Sequence, residues 1–373
     1  MSATASLAEH FECVEDPRRG DVTYPLINFL AISLCAVIAG ADDFVAIADF
    51  ARTRKDWLAT FLDMSDGVPS HDRFNHIFKH VKPEQFEAAL LSWLSDMAEV
   101  TAGRIVAIDG KTLRGSYDKK SSKAAIDMVS AWAAENHLSL GSVVTDAKSN
   151  EITAIPELLR IIELSGALVT IDAMGCQVEI AETIVQEGAD YCLMVKGNQP
   201  TLHEGVQAFF ADHLEDDFAR VKVRRYDSKD KGHGRVEERS YRICPVASDL
   251  PDAKRWRKLK AIGIAINNTT REGKDTIEVR YYILSRYVSA KRFAAAVRGH
   301  WSIENSLHWQ LDVTFGEDGS RLRKGHSDVN FSTLRRTALA LLKQETTAKV
   351  GVKNKRLRAA WDDAYRRKLL FQP

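Results

Sequence analysis

The sequence predicts an α/β protein in which a mixed sheet carries helices on its faces, follows an all-helical module and is interrupted by a β-rich insertion. Three patterns carry this expectation. Apolar positions recur at helical spacing from Leu26 to Phe50 and from Phe86 to Met97, with no strand alternation in the first 100 residues or so. From Arg104 the texture changes to short β-branched runs separated by Gly, Asn, Asp and Ser: Ile105–Asp109, Met128–Ala134, Leu138–Thr145, Ala167–Asp172 and Tyr191–Val195. Helical patterns at Pro156–Leu164 and Gln177–Glu187 fall between the later runs, the rhythm of a sheet layered with helices.

Each segment has a local reason. Tyr24–Ala41 approaches membrane-spanning length, but acids (Glu9, Glu12, Glu15, Asp16) precede it where a signal peptide needs a basic region, and Pro25, Asn28 and Ser33 interrupt it. A buried helix is expected. Ser70 is placed to N-cap a helix over Asp72–His80, and Pro83 to open the next one. After about residue 215 comes a charged stretch, Lys222–Arg242, then alternating runs at Leu259–Asn267 and Thr276–Leu284; helical spacing returns from Ala290 and again over Asp328–Lys343. The expected organisation is a helical N-terminal domain (1–100), the first part of an α/β core (101–212), a β-rich insertion (213–290), the last core helices carrying Glu304 (291–345) and a basic tail (346–373).

Composition sets limits on function. The 373 residues are 45% hydrophobic and 28% charged, which suits a large folded protein. A net charge of +1 means that any nucleic-acid surface arises from local segregation of charge. The five cysteines have no paired short spacing, which argues against a disulfide framework or zinc knuckle and for a reducing, cytoplasmic compartment. No Gly-rich cofactor loop is present, which disfavours a small-molecule enzyme.

The chemistry resides in acids at the ends of apolar runs. Asp109 ends Ile105–Asp109 ahead of the basic turn Gly110–Ser116, and Asp172 ends Ala167–Asp172; Asp146 also ends such a run, at Val143–Asp146, and spacing does not choose between them. Glu304 lies in the aromatic-rich helical stretch His300–Trp309, with Asp312, Glu317 and Asp318 as rivals. Converging carboxylates repel one another unless cations neutralise them, and an all-oxygen donor set selects Mg²⁺ or Mn²⁺. Two strand-end aspartates and a helical glutamate suit two-metal phosphoryl transfer on nucleic acid. His300, Glu304 and His308 recur at i, i+4 and i+8 but lack the short spacing of a zinc motif, which leaves the histidines as phosphate or water contacts. Lys111, Arg114, Lys196, Asn198, Gln199, His233, Arg235 and Arg298 are candidates for DNA contacts, and Trp301 for stacking on an unpaired base.

Several long motifs occur in a fixed order: Ile108–Gly115, Lys148–Leu159, Thr170–Gln177, Asp190-Tyr191 with Lys196–Gln199, Gly232–Arg235, and His300–Trp309 with Leu311–Asp318. Together they resemble bacterial insertion-sequence transposases of the ISAs type, the group that includes the H-repeat-associated proteins. Asp16–Arg19 and Pro69–Asp72 resemble that group's associated N-terminal region, so the likeness spans nearly the whole chain. The resemblance implies a DDE transposase with an RNase H-like core, in which Asp109, Asp172 and Glu304 match the metal-binding triad and Asp172 is preferred to Asp146. It implies two Mg²⁺ or Mn²⁺ ions, double-stranded DNA partners (terminal inverted repeats and target DNA), a homodimer on DNA and no membrane. Where the wider group carries Tyr-x-x-Arg-x-x-x-Glu with a Lys seven positions on, this chain has Val297, His300, Glu304 and Leu311. A non-catalytic DNA-binding relic and a nuclease that cuts without joining are the alternatives.

Overall fold

The computed structural model describes residues 3–20, 22–97, 104–117, 124–145, 151–232 and 234–371. The helical module comprises α1 (Ala3–Phe11), α2 (Leu26–Ile38), α3 (Phe44–Thr53), the short α4 (Lys55–Leu58), α5 (His71–His80) and α6 (Pro83–Met97). Asp43 caps α3 by accepting from the Ala46 amide at 2.8 Å. Ser70 occupies the cap position of α5 without a side-chain cap bond. The apolar α2 is buried on all sides from Asn28 to Ile38, and no helix of the described residues is long and apolar enough to cross a membrane.

Nine strands form a single sheet: β1 (Ile105–Leu113), β2 (Ile126–Ala133), β3 (Leu138–Val144), β4 (Leu168–Ile171), β5 (Asp190–Val195), β6 (Arg224–Gly232), β7 (Arg235–Pro245), β8 (Ala261–Arg271) and β9 (Lys274–Leu284). Their order is β3-β2-β1-β4-β5-β9-β8-β7-β6. The first five strands form the RNase H-like mixed sheet: β1, β2 and β3 are antiparallel neighbours, while β4 and β5 run parallel to β1. The β-rich insertion extends that sheet, because β9 pairs antiparallel with β5. Its strands were partly hidden in the sequence: β6 and β7 occupy the charged stretch, where cross-strand pairs such as Lys229 Nζ to Glu238 at 2.5 Å, rather than apolar alternation, line the ribbon.

The remaining helices cover the sheet. On one face lie α7 (Glu151–Ile161), α8 (Val178–Gln186) and α9 (Pro200–Glu215), packed on Val106, Ile108, Val169, Ile171, Leu193 and Val195. The helix expected from Pro156 begins five residues earlier; Pro156 sits inside it and forgoes only its own amide bond. On the other face α10 (Ala290–Ile303) packs on Ile105, Leu168, Cys192 and Met194. Gly299 permits this approach, since a Cβ there would lie 3.3 Å from both Ala134 and Ile105.

Beyond α10 come a π-helical turn (Glu304–His308), α11 (Trp309–Phe315), α12 (Ser327–Gln344), α13 (Val352–Trp361) and α14 (Asp363–Phe371). One continuous core joins the N-terminal helices to Ala107 and Trp132 of the sheet and to Leu307, Leu311, Phe331 and Leu369. Its central helix, α12, is buried along nearly its whole length, and Asn330 Nδ2 donates to the carbonyls of Phe78 and Val81, both at 3.0 Å. Arginines of the basic C-terminal segment point inward. Arg356 donates to Val37 O at 3.1 Å and Thr314 O at 2.6 Å and pairs with Asp42 at 2.8 Å, while the fully buried Arg366 stacks on Trp57.

Glu345 secures the junction of α12 with the last two helices. Its buried carboxylate accepts from Thr347 N at 2.8 Å, Tyr365 Oη at 2.9 Å and Lys368 Nζ at 3.2 Å. Burial raises its pKa, but the bonds from Thr347, Tyr365 and Lys368 outweigh that and hold it down at about 2, against 4.5 for a free glutamate. A depressed carboxylate stabilises the fold above its unfolded pKa and ceases to do so as pH falls through the folded value. Glu345→Gln is therefore expected to lower the unfolding free energy by ~2–3 kcal/mol at neutral pH. In urea titrations across a pH series, the difference from the parent protein should shrink as pH falls from about 4.5 towards 2.

Candidate metal centre

The parallel pairing of β1 with β4 runs in register from Ile105 opposite Leu168 to Ile108 opposite Ile171. The next residue on each strand is an aspartate, so Asp109 and Asp172 emerge side by side where β4 ends. Strand alternation fixes their side of the sheet: Val106 and Ile108 face α7 and α8, so Asp109 faces the opposite way, towards the π-helical turn. Asp109 is not at the end of its own strand, as the sequence suggested. β1 continues to Leu113 because β2 still pairs with it, from Asp109 opposite Ser130 to Leu113 opposite Ile126.

Glu304 opens the π-helical turn, a local widening of an otherwise continuous helix. From the far end of the turn the buried His308 places Nδ1 3.2 Å from Glu304 Oε2 and 3.5 Å from Asp109 Oδ2. Asp109, Glu304 and His308 each offer a ligand atom within 4.8 Å of the others. Asp172 flanks this group, its Oδ1 accepting from the amides of Met174 at 3.0 Å and Gly175 at 3.2 Å. Asn198 Nδ2 donates to Ala173 O at 2.6 Å and Gln199 Nε2 to Cys176 O at 3.1 Å, so the segment after β5 fastens the loop that carries Asp172.

A fourth acid, Glu151, reaches the site from the start of α7. A Cβ at Gly110 would fall 2.0 Å from its Oε1, so glycine at 110 makes room for that carboxylate. Glu151 falls within the Lys148–Leu159 motif, and the glycine directly after Asp109 is the sequence signal that a side chain from elsewhere comes close there. Asp146 and His233 lie outside the described residues.

Burial pushes Asp109 up to about 7, and Asp172, Glu304 and Glu151 push it in the same direction. Glu151 is also raised, first by burial and then by Asp172 and Asp127. Burial holds the imidazoles of His300 and His308 below their usual range despite the neighbouring carboxylates. His300 lies against β4, its Nδ1 3.5 Å from Thr170 Oγ1. A cluster of hard oxygen donors that cannot all ionise comfortably is the donor set a divalent cation would relieve, so these residues fit such an ion.

A family model described as "Transposase DDE domain" matches residues 101–342, and one described as "DDE_Tnp_1-associated" matches residues 8–94. This chain belongs to the DDE transposase family. It is 41% identical to "Putative transposase YncI" of Escherichia coli O157:H7, over 96% of this chain and 93% of that protein. It is 37% identical to "H repeat-associated putative transposase YhhI" of Escherichia coli strain K12, over 96% of each chain. A shorter relative, "Inactive transposase YbfQ" of the same strain, is 34% identical over 20% of this chain and 92% of its own length. Membership of the DDE family implies use of a divalent metal.

Of the other candidate residues of this DDE-family chain, some are turned inward and some are exposed. Lys111 is turned inward, donating to Asp312 and, at 2.8 Å, to Glu317. His308 is likewise buried, at 4% exposure, and Asn198 and Gln199 hold the Asp172 loop. Arg114, Lys196, Arg235 and Arg298 are exposed, with Arg114 3.7 Å from Asp318, Arg235 3.6 Å from Glu237 and Arg298 3.5 Å from Asp230. Trp301 is half-exposed, with the Arg280 guanidinium 4.3 Å from its ring centre.

Two outcomes are expected. Asp109 has a raised folded-state pKa, so metal-free stability falls as pH rises from its ordinary value of 3.8 towards 7. In EDTA, Asp109→Asn should be more stable than the parent by ~1–3 kcal/mol at pH 8, with the difference vanishing near pH 4 in denaturant titrations. Lys111 is raised overall: burial pulls it down, and Glu317 and Asp312 more than compensate. Lys111→Met leaves the buried Glu317 without its ammonium partner and should cost ~3–5 kcal/mol, partly recovered in a double variant with Glu317→Gln.

Proposed function

We propose that this protein binds the terminal inverted repeats of its element, hydrolyses the DNA at those ends and joins the freed 3′-hydroxyl to target DNA. The observation that carries this reading is the shared register of β1 and β4, which sets Asp109 beside Asp172 beneath the turn carrying Glu304. Asp109, Asp172 and Glu304 would hold Mg²⁺ or Mn²⁺, one or two ions, which when bound supply activation of the attacking oxygen and neutralisation of charge on the phosphate and leaving group.

The protein's own groups set up that chemistry by position. Two amides fix the Asp172 carboxylate before anything binds, and His308 orients Glu304. The low basicity of His300 and His308 keeps both neutral near pH 7, so neither adds positive charge that would compete with a cation. Around this centre Arg114, Lys196, Arg235 and Arg298 are accessible to phosphates, and Trp301 to a base. Two ends brought together would call for a homodimer on DNA, with the helical module of residues 1–100 reading the ends.

The test is cleavage of end-labelled duplex carrying the element's termini, with Mg²⁺ or Mn²⁺ against EDTA. Asp172→Ala should lower nicking at the element end by about 1,000-fold or more, since a lost metal ligand costs several kcal/mol of transition-state stabilisation, while end binding stays near that of the parent. End binding without cleavage by the parent protein in either metal would overturn the catalytic reading in favour of a DNA-binding relic. Nicking with no joined product when target DNA is supplied would restrict it to a nuclease.

A further inference from the structure

A second site lies in the helical module, outside the metal centre. A cavity of about 520 Å³ opens between residues 17–19 and 22–23 on one side and the first two turns of α5 on the other, with Arg18, Arg19, Arg73 and His76 on its walls and Phe29 and Ile77 beneath. Its cations are held in different ways. Arg18 is spent internally: Nε donates to Asp16 Oδ1 at 2.9 Å and Nη2 to Oδ2 at 2.6 Å, with the guanidinium 5.1 Å from the Phe29 ring centre. Arg19 and Arg73 are exposed, and neither has a carboxylate partner among the described residues. The Arg73 guanidinium lies 5.2 Å from the Tyr24 ring centre, and Tyr24 meets Phe29 edge to face at 6.1 Å.

A guanidinium that stacks by its face leaves its in-plane N–H groups free, the geometry that grips a phosphate. One such cation, Arg73, and the exposed Arg19, neither with an acid partner among the described residues, stand beside an apolar floor in a space of nucleotide size and match a phosphate together with the apolar part of what it is attached to. Among the described residues the acid that lines this cavity is Asp72, exposed and 3.5 Å from His71 Nε2.

We propose that this cavity is a DNA-backbone site: Arg19 and Arg73 bind a phosphate of the bound duplex, and Asp72 limits the affinity of that contact. The proposal rests on the DNA-end-binding part of the function above and is independent of catalysis. The experiment is fluorescence anisotropy of the full chain in EDTA with two duplexes, an element end and a scrambled sequence, over a salt series. Arg19→Ala with Arg73→Ala should weaken binding to both duplexes by 10-fold or more and lower the slope of log affinity against log salt by about 1 to 2, because a phosphate contact is not sequence-specific. Asp72→Asn should tighten binding to both, a gain that misfolding cannot produce, and Arg19→Ala alone alters an exposed side chain with no hydrogen bond or ion pair to another described residue.

Unchanged affinity and slope in the arginine variants, or unchanged affinity in Asp72→Asn, would overturn the site while leaving the transposase reading intact. Parent protein that binds neither duplex would overturn both. Calorimetry with dAMP separates the two sources of phosphate: dAMP binding that is lost in the arginine variants while their DNA affinity stays at the parent level would assign the cavity to a free nucleotide and overturn the backbone site.

Discussion

The structure is organised around one electrostatic constraint: the β1–β4 register sets two aspartates side by side, and the helical turn above adds a glutamate. In a metal-free protein this arrangement is unfavourable: burial first, and then the neighbouring acids, push Asp109 up to about 7. Carboxylates free to move would separate. They are held together because each is anchored in a different part of a rigid frame: Asp109 in a strand with neighbours on both sides, Asp172 by two amides in a loop tied down from β5, and Glu304 on a helix that crosses the sheet. The unfavourable energy is local, and the energy that opposes it comes from packing far from the site.

That packing explains the burial of charge behind the metal centre. Lys111, two residues after Asp109, ties β1 to Asp312 on α11 and to Glu317 beyond it, and Glu317 in turn accepts from Ser332 on α12 at 2.6 Å. Arg356 then joins the end of α11 to α2. The helix bearing Glu304 is thus seated on the sheet at Gly299 and held towards its end by Lys111 of β1, paired with Asp312, and by Arg356 of α13, which donates to Thr314 O. Buried pairs of this kind add little net stability but fix one arrangement, since each broken partner leaves a desolvated charge. For a centre whose acids come from separate segments of the chain, fixed geometry matters more than net stability.

Much of this was legible in the sequence, and what was not has a physical reason. The layer pattern could be read because apolar runs ending in Asp and helical spacing are local signals; spacing leaves Asp172 level with Asp146 and Glu304 level with Asp312, Glu317 and Asp318, and the preference for Asp172 and Glu304 comes from the family resemblance. The extent of β1 could not, because residues 110–113 read as a Gly-rich basic turn and are strand only through pairing with β2. Lys111 and His308 read as phosphate or water contacts because a lone cation or imidazole gives no sign of a partner some two hundred residues away. Strands β6 and β7 were masked by charge, since a ribbon held by cross-strand ion pairs lacks apolar alternation. The place of Glu151 is not legible because it depends on a missing side chain at Gly110, some forty residues earlier in the chain.

The continuity of the sheet gives the insertion a mechanical meaning. Asp172 and Glu304 are 132 positions apart in sequence, and a separate domain in that gap would leave Glu304 at the end of a flexible excursion. Here β9 returns along β5, adjacent to β4 and to Asp172, and delivers the chain to α10 six residues after its last paired position. Phe293 of α10 then packs over Gly263 of β8, where a Cβ would sit 2.5 Å from the ring, so the helix is seated on the insertion as well as on the core. The ribbon that separates the acids in sequence is therefore the structure that returns the third acid to the first two.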